Sequence, residues 1–148
     1  MKPFKRLGFD LGYLALLTKR GVKLLSRWEA GVTARKIRAL RYLGLKTEVV
    51  ERRLLNCGTT DELIFSNSSN YLDFHKNRYD KRPIKRDYET IITEGFLFGY
   101  PSCCAHNFAE NGYTKNRYGD NGQEILFHWV CPECRITPSL LPYQTGVY

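Results

Sequence analysis

Four of the five cysteines fall within 32 positions, as Cys103-Cys104 and Cys131-Pro132-Glu133-Cys134. They constrain the fold more than any apolar run does, because chain stretches that share an ion must converge on it. The fifth, Cys57, stands apart. In a reducing compartment such thiols serve as metal ligands or reactive groups rather than disulfides. Cys131-x-x-Cys134 has the spacing that lets two thiolates bind one ion from a turn whose N–H groups face the sulfurs. Cys103-Cys104 lies at the start of an expected helix, where the dipole and free N–H groups favour thiolate.

Two histidines stand in register with these cysteines. His106 follows Cys103 by three residues, one helical turn on, and His128 precedes Cys131 by three. The candidate metal residues are therefore Cys103, Cys104, Cys131, Cys134 and His128, with His106 as an alternative ligand. Zinc takes four ligands tetrahedrally, and Cys103, His106, Cys131 and Cys134 form the best-spaced set. A 4Fe-4S cluster would use all four cysteines. Adjacent helical side chains diverge by about 100°, which is easier for a cluster than for one ion. Zinc is the preferred reading and the cluster the alternative. The bland reading makes the tandem pair small buried hydrophobes and the knuckle an ordinary turn. A thioredoxin-like redox motif lacks its strand–helix context here.

Helical spacing runs through the first third. Leu11, Leu14 and Leu17, then Val22, Leu24, Leu25 and Trp28, recur near a helical period, with Gly21 and Gly31 marking turns. A helix is expected from Thr33 to Gly44 and another from Thr47, with Val49, Val50, Leu54 and Leu55 as its apolar residues. Residues 1–56 are thus read as a basic helical segment. Residues 57–87 are read as a linker and irregular region, with Asn67-Ser68-Ser69-Asn70 as turn-prone chain and Lys76–Asp87 as charge-dense. Residues 88–148 are read as a cysteine-rich metal-binding domain. In it, Tyr88 to Phe96 suit a helix, and Pro101 opens another that Gly112 ends. A polar loop is expected over Asn116–Gln123, a short strand or helix turn over Glu124–Val130, and a short last helix limited by Pro138 and Pro142. The fold class expected is α+β, mainly helical.

Gly99-Tyr100-Pro101-x-Cys103-Cys104-x-x-x-Phe108, followed by His128-x-x-Cys131-x-x-Cys134, resembles an uncharacterised prokaryotic domain family with a G-Y-P-x-C-C signature. The likeness covers residues 88 to 143. It implies that Cys103, Cys104, His128, Cys131 and Cys134 act as a unit, and it implies no activity. The tandem pair with Cys131-Pro132 is also similar to the cluster-holding cysteines of the small subunit of respiratory complex I.

Charge is unevenly placed. The net charge is +8, yet residues 1–56 carry 14 Lys/Arg against 4 Asp/Glu, and residues 57–148 carry 9 against 11. A basic segment of this kind points to a polyanion. RNA or DNA phosphates are the favoured partner, through Arg35, Lys36, Arg38, Arg41, Arg52 and Arg53. A protein partner is a second reading. A third is an anionic membrane surface, with Leu11–Leu17 and Trp28 inserted as amphipathic helices. No stretch reaches the ~20 apolar residues of a transmembrane helix. The Leu11–Leu17 run is followed by Lys19-Arg20 without a small-residue cleavage site, so a cytoplasmic location is expected.

Several chemistries lack their motifs. Zinc deaminases need His-x-Glu with Pro-Cys-x-x-Cys, whereas His106 precedes Asn107 and Val130 precedes Cys131. No phosphate-binding glycine loop and no Gly-x-Ser-x-Gly is present. Glu94, Glu110 and Glu133 read as solvated carboxylates, and His75 as a surface or packed histidine. The sequence thus points to a metal-binding module with a basic segment. The competing class is an iron–sulfur electron carrier or redox enzyme component.

Overall fold

The computed structural model describes residues 7–118, 126 and 128–146. Among these are six helices and four strands, an α+β content. The chain divides into two compact units, Met1–Lys85 and Arg86–Tyr148.

The first unit opens with α1 (Phe9–Lys19), whose Leu11, Leu14 and Leu17 are buried as their spacing predicts. Strand β1 (Leu25–Trp28) follows, where a continued helical period had been expected. Helix α2 (Ala34–Tyr42) begins as predicted, with the Thr33 hydroxyl accepting from the Lys36 N–H at 3.3 Å. It ends at Gly44, which takes φ 79°. That left-handed turn lets the Gly44 N–H reach the Arg41 carbonyl and the Leu45 N–H reach the Leu40 carbonyl. This double closure is the one glycine favours after a helix.

The helix expected from Thr47 is instead strand β2 (Lys46–Arg53). Its Thr47, Val49 and Val50 are β-branched and stiff, which suits a pleated strand. Residues 57–87, expected as linker, contain β3 (Thr59–Ser66), α3 (Ser69–Tyr79) and the short β4 (Arg82–Pro83). The sheet order is β1-β3-β2-β4, with β3 antiparallel to both neighbours and β4 parallel to β2. Residues 54–58 join β2 to β3, and the Leu54 N–H closes the three residues between itself and Gly58 by donating to the Gly58 carbonyl at 2.8 Å. The Cys57 N–H turns back to Leu54, and Cys57 itself takes φ 64°. This is a tight turn followed by one left-handed residue, a common hairpin closure.

Strand β3 is buried from Glu62 to Ser66, with side chains on both faces covered. The pairing register puts Arg27, Glu62 and Arg52 on one face. There Arg52 meets Glu62 at 3.5 Å and lies over the Tyr79 ring of α3 at 4.7 Å. Arg27 reaches the same carboxylate at 3.8 Å. His75 of α3 is fully buried and packs on Tyr79. A cation that read as surface charge is therefore core: Arg52 is 1% exposed.

The second unit is built from α4 (Tyr88–Leu97), α5 (Ser102–Asn111) and α6 (Ile136–Thr145). Asp87 caps α4 through the Thr90 N–H at 2.9 Å. Gly95 sits inside α4 because α5 passes close: a Cβ there would stand 2.8 Å from that of Ala105. Helix α6 runs through Pro142, longer than its prolines suggested. The loop expected over Asn116–Gln123 and the element expected over Glu124–Val130 lie partly outside the described residues.

Candidate metal centre

The backbone delivers the first pair of sulfurs by ending one helix and at once starting another. Gly99, at φ 72°, closes α4, with its N–H on Phe96 and the Tyr100 N–H on Gly95. Pro101 then caps α5, and its carbonyl accepts from the Cys104 and Ala105 N–H groups, both at 3.0 Å. Proline costs nothing there, since its missing N–H would have no partner. Cys103 and Cys104 thus occupy the first turn of α5. Gly112 ends that helix as the sequence predicted.

The second pair comes from a turn. The Cys134 N–H donates to the Cys131 carbonyl at 3.2 Å, which brings both sulfurs to one side of the knuckle. The four Sγ atoms all lie within 4.8 Å of one another. Cys103 and Cys134 are 3.6 Å apart, Cys104 and Cys131 3.9 Å, and Cys103 and Cys104 4.0 Å. None is in a disulfide. Cys104, Cys131 and Cys134 are buried and Cys103 is partly exposed.

Two sulfurs receive hydrogen bonds typical of thiolates. The Cys131 N–H donates to Cys104 Sγ at 3.4 Å. The Thr137 N–H donates to Cys134 Sγ at 3.3 Å, and the Thr137 hydroxyl lies 3.1 Å from the same sulfur. Cys134 thereby satisfies an N–H of the first turn of α6, which would otherwise lack an acceptor. The thiols respond differently to these surroundings. Burial pushes Cys103 up to about 11, and the neighbouring thiols of Cys134 and Cys131 add to it. Burial pushes Cys104 higher still, against the Cys131 N–H. Burial opposes ionisation of Cys134 as well, but the Thr137 hydroxyl and N–H, with the Cys104 and Cys103 thiols, outweigh it and bring the thiol down to about 7. Four thiolates this close repel one another unless a cation stands among them. The donor set, four sulfurs with two N–H···S contacts, fits a soft or borderline metal ion.

The histidines take other places. His128 is outside the group of four. Its Nε2 is 3.2 Å from the Thr137 hydroxyl, its Nδ1 is 3.2 Å from the Leu126 carbonyl, and its ring stacks on Tyr100. It braces the threonine that holds Cys134, so it stands one layer behind the sulfurs rather than beside them. His106 hydrogen-bonds through Nδ1 to the Tyr88 hydroxyl. Cys104, not His106, stands with Cys103, Cys131 and Cys134 in the group of four. Both tandem sulfurs reach the group despite their angular divergence, because Cys104 points to Cys131 while Cys103 points to Cys134.

Thr137 escaped the sequence reading. Its signal was present as Cys134-x-x-Thr137, a sulfur followed after three positions by a hydroxyl at a helix start. Of the six basic residues singled out, Arg35, Arg38, Arg41 and Arg53 are exposed. Lys36 is partly buried, with its ammonium on the Ala30 and Gly31 carbonyls, both at 2.7 Å. Arg52 is buried against Glu62, where it cannot reach a phosphate.

No family model, curated protein or solved structure matches this chain. No helix among the described residues is long and apolar enough to cross a membrane.

Proposed function

We propose that Cys103, Cys104, Cys131 and Cys134 bind one zinc ion that ties the first turn of α5 to the knuckle before α6. The carrying observation is the mutual closeness of the four sulfurs, all within 4.8 Å. A tetrahedral ion with Zn–S bonds of ~2.3 Å places its ligands ~3.8 Å apart. Three of the six separations, at 3.6, 3.9 and 4.0 Å, lie close to that value, and the other three stay within 4.8 Å. A 4Fe-4S cluster gives each cysteine its own iron at a different corner, so its sulfurs stand farther apart around a larger centre. An all-cysteine, four-ligand site leaves no open position for a substrate, which makes its role structural. The G-Y-P-x-C-C resemblance agrees with the four cysteines acting as a unit.

Elemental analysis of the purified protein tests the reading. One zinc per chain in a colourless sample is the expected result. A brown sample with iron and sulfide would replace zinc by a cluster. No stoichiometric metal would end the proposal.

The basic character supports a second role for the first unit. Arg35, Arg38 and Arg41 are exposed along α2 and Arg53 is exposed at the end of β2. Phosphates of RNA or DNA are the acidic surface we propose for them. Binding to a single-stranded or duplex oligonucleotide should weaken steeply with salt, and charge reversal at Arg35, Arg38 and Arg41 should abolish it. Binding indifferent to salt would sink this role.

A further inference from the structure

The four sulfurs are not equivalent, and the differences converge on one of them. Cys104, Cys131 and Cys134 are 1%, 9% and 3% exposed, whereas Cys103 is partly open to solvent. Cys104 and Cys134 each accept N–H donors, which draw electron density from a thiolate and blunt it as a nucleophile. Among the described residues the hydrogen-bonding neighbours of Cys103 Sγ are sulfurs: Cys134 at 3.6 Å, Cys104 at 4.0 Å, and Cys131 within 4.8 Å. Cys131 also lacks an N–H donor to its sulfur among the described residues, but it is buried. Accessible surface and an unblunted sulfur therefore coincide at Cys103 alone.

We propose that the centre is an oxidant-sensitive switch, in which peroxide attacks Cys103 and expels the metal as a Cys103–Cys134 disulfide forms. This regulation rests on the zinc reading above. In the first step the Cys103 thiolate attacks one oxygen of hydrogen peroxide. A sulfur–oxygen bond forms, the oxygen–oxygen bond breaks, and hydroxide leaves, giving a sulfenic acid. In the second step the Cys134 thiolate attacks the Cys103 sulfur. The disulfide forms, the sulfur–oxygen bond breaks, and a second hydroxide departs. Two protons from solvent convert the two hydroxides to water. Sulfur has lost two electrons, and peroxide has gained them. The ion has then lost two of its four ligands, and two remaining thiolates hold zinc far less tightly. Cys134 is the resolving partner because its sulfur stands 3.6 Å from that of Cys103, nearer than the 4.0 Å of Cys104. A thiol reductant would reverse the disulfide and restore the site.

The test uses the full chain carrying Cys57→Ser, so that the exposed thiol of the first unit does not consume oxidant. Zinc content is measured first by elemental analysis. Hydrogen peroxide is then titrated in while a chromogenic chelator reports released zinc, and alkylation with mass spectrometry maps the oxidised cysteines. The expected result is release of one zinc per disulfide, with Cys103–Cys134 as the first linkage and zinc rebinding after reduction. Zinc retained at peroxide levels that fully oxidise Cys57 in the unmodified chain would overturn the switch while leaving the metal reading intact. First oxidation at Cys104 or Cys131 would overturn the assignment of Cys103. Absence of zinc before any oxidant would remove the metal reading and the switch together. Because Cys103→Ser could lower zinc content by itself, Cys103→His serves as the second variant. It keeps a fourth ligand and should hold zinc against peroxide.

Discussion

The two units solve the same problem with different materials. The first builds its interior from hydrocarbon, with Leu11, Leu17, Leu25, Leu40, Leu63 and Phe65 at or near full burial around a four-stranded sheet. In the second, one core cluster consists of Cys104, Cys131 and Cys134 with Leu126 and Val130. Cys103, Tyr118 and Leu141 pack against it from its margin. Three of five cluster residues there are sulfur. The contrast teaches where each unit stores its stability. A largely hydrocarbon interior draws its stability mainly from burial, whereas a small thiol interior that held the ion proposed above would draw it from that ion.

Chelation should break the comparison most visibly. Structural zinc contributes on the order of 10 kcal/mol to folding of small domains. Removing it, or replacing Cys131 by Ser, should unfold the second unit while hydrogen exchange in β2 and β3 stays slow. Equal loss of protection in both units would refute the division of labour. The reverse perturbation targets the buried ion pair of the first unit. Glu62→Ala leaves Arg52 charged at 1% exposure, and breaking such a pair costs ~3–5 kcal/mol. Thermal unfolding should show the first unit weakened and zinc content unchanged.

Acid offers a gentler probe of the same face. Burial, with Arg27 and then Arg52 beside it, holds His75 down to about 3. The unfolded chain takes up that proton near pH 6.5. Between those two values the unfolded state binds more protons, so stability falls as pH drops. The full contribution is present above pH 6.5 and is lost by pH 3. His75→Phe should flatten this part of the stability profile, and an unchanged slope would contradict the placement of His75.

Smaller changes sharpen the picture. Thr137→Val removes the hydroxyl beside Cys134 and its link to His128. Losses of this kind typically cost ~10-fold to 100-fold in metal affinity, measurable by competition with a chromogenic chelator. A value equal to the parent would make the threonine mere packing. Cys57→Gly should add about 0.5–1 kcal/mol to the first unit, since glycine adopts the left-handed turn without a Cβ penalty. Metal content should not move.

How much was legible beforehand differed between the units in the same way. The sulfur cluster announces itself, because few roles besides a shared ion call for two close pairs of cysteines in one short span. The first turn of α5 was readable from Pro101 and Gly112, each with a conformational reason. The strands were not. Thr47–Leu55 carries an apolar spacing that suits a helix, yet most of it lies in β2, because β3 lies alongside to pair its backbone. Residues 57–87 read as polar linker because their buried residues, Glu62 and His75 among them, include polar types that only a partner across the sheet makes affordable.

The chain by itself determined the chemistry: which atoms can hold a soft ion, where a helix must stop, and where positive charge concentrates. Tertiary structure decided membership. It admitted Cys104 and left out both histidines, and it took Arg52 from the surface into the core. Spacing along a chain limits which residues can meet, but distances in space, set by packing, select which of them do.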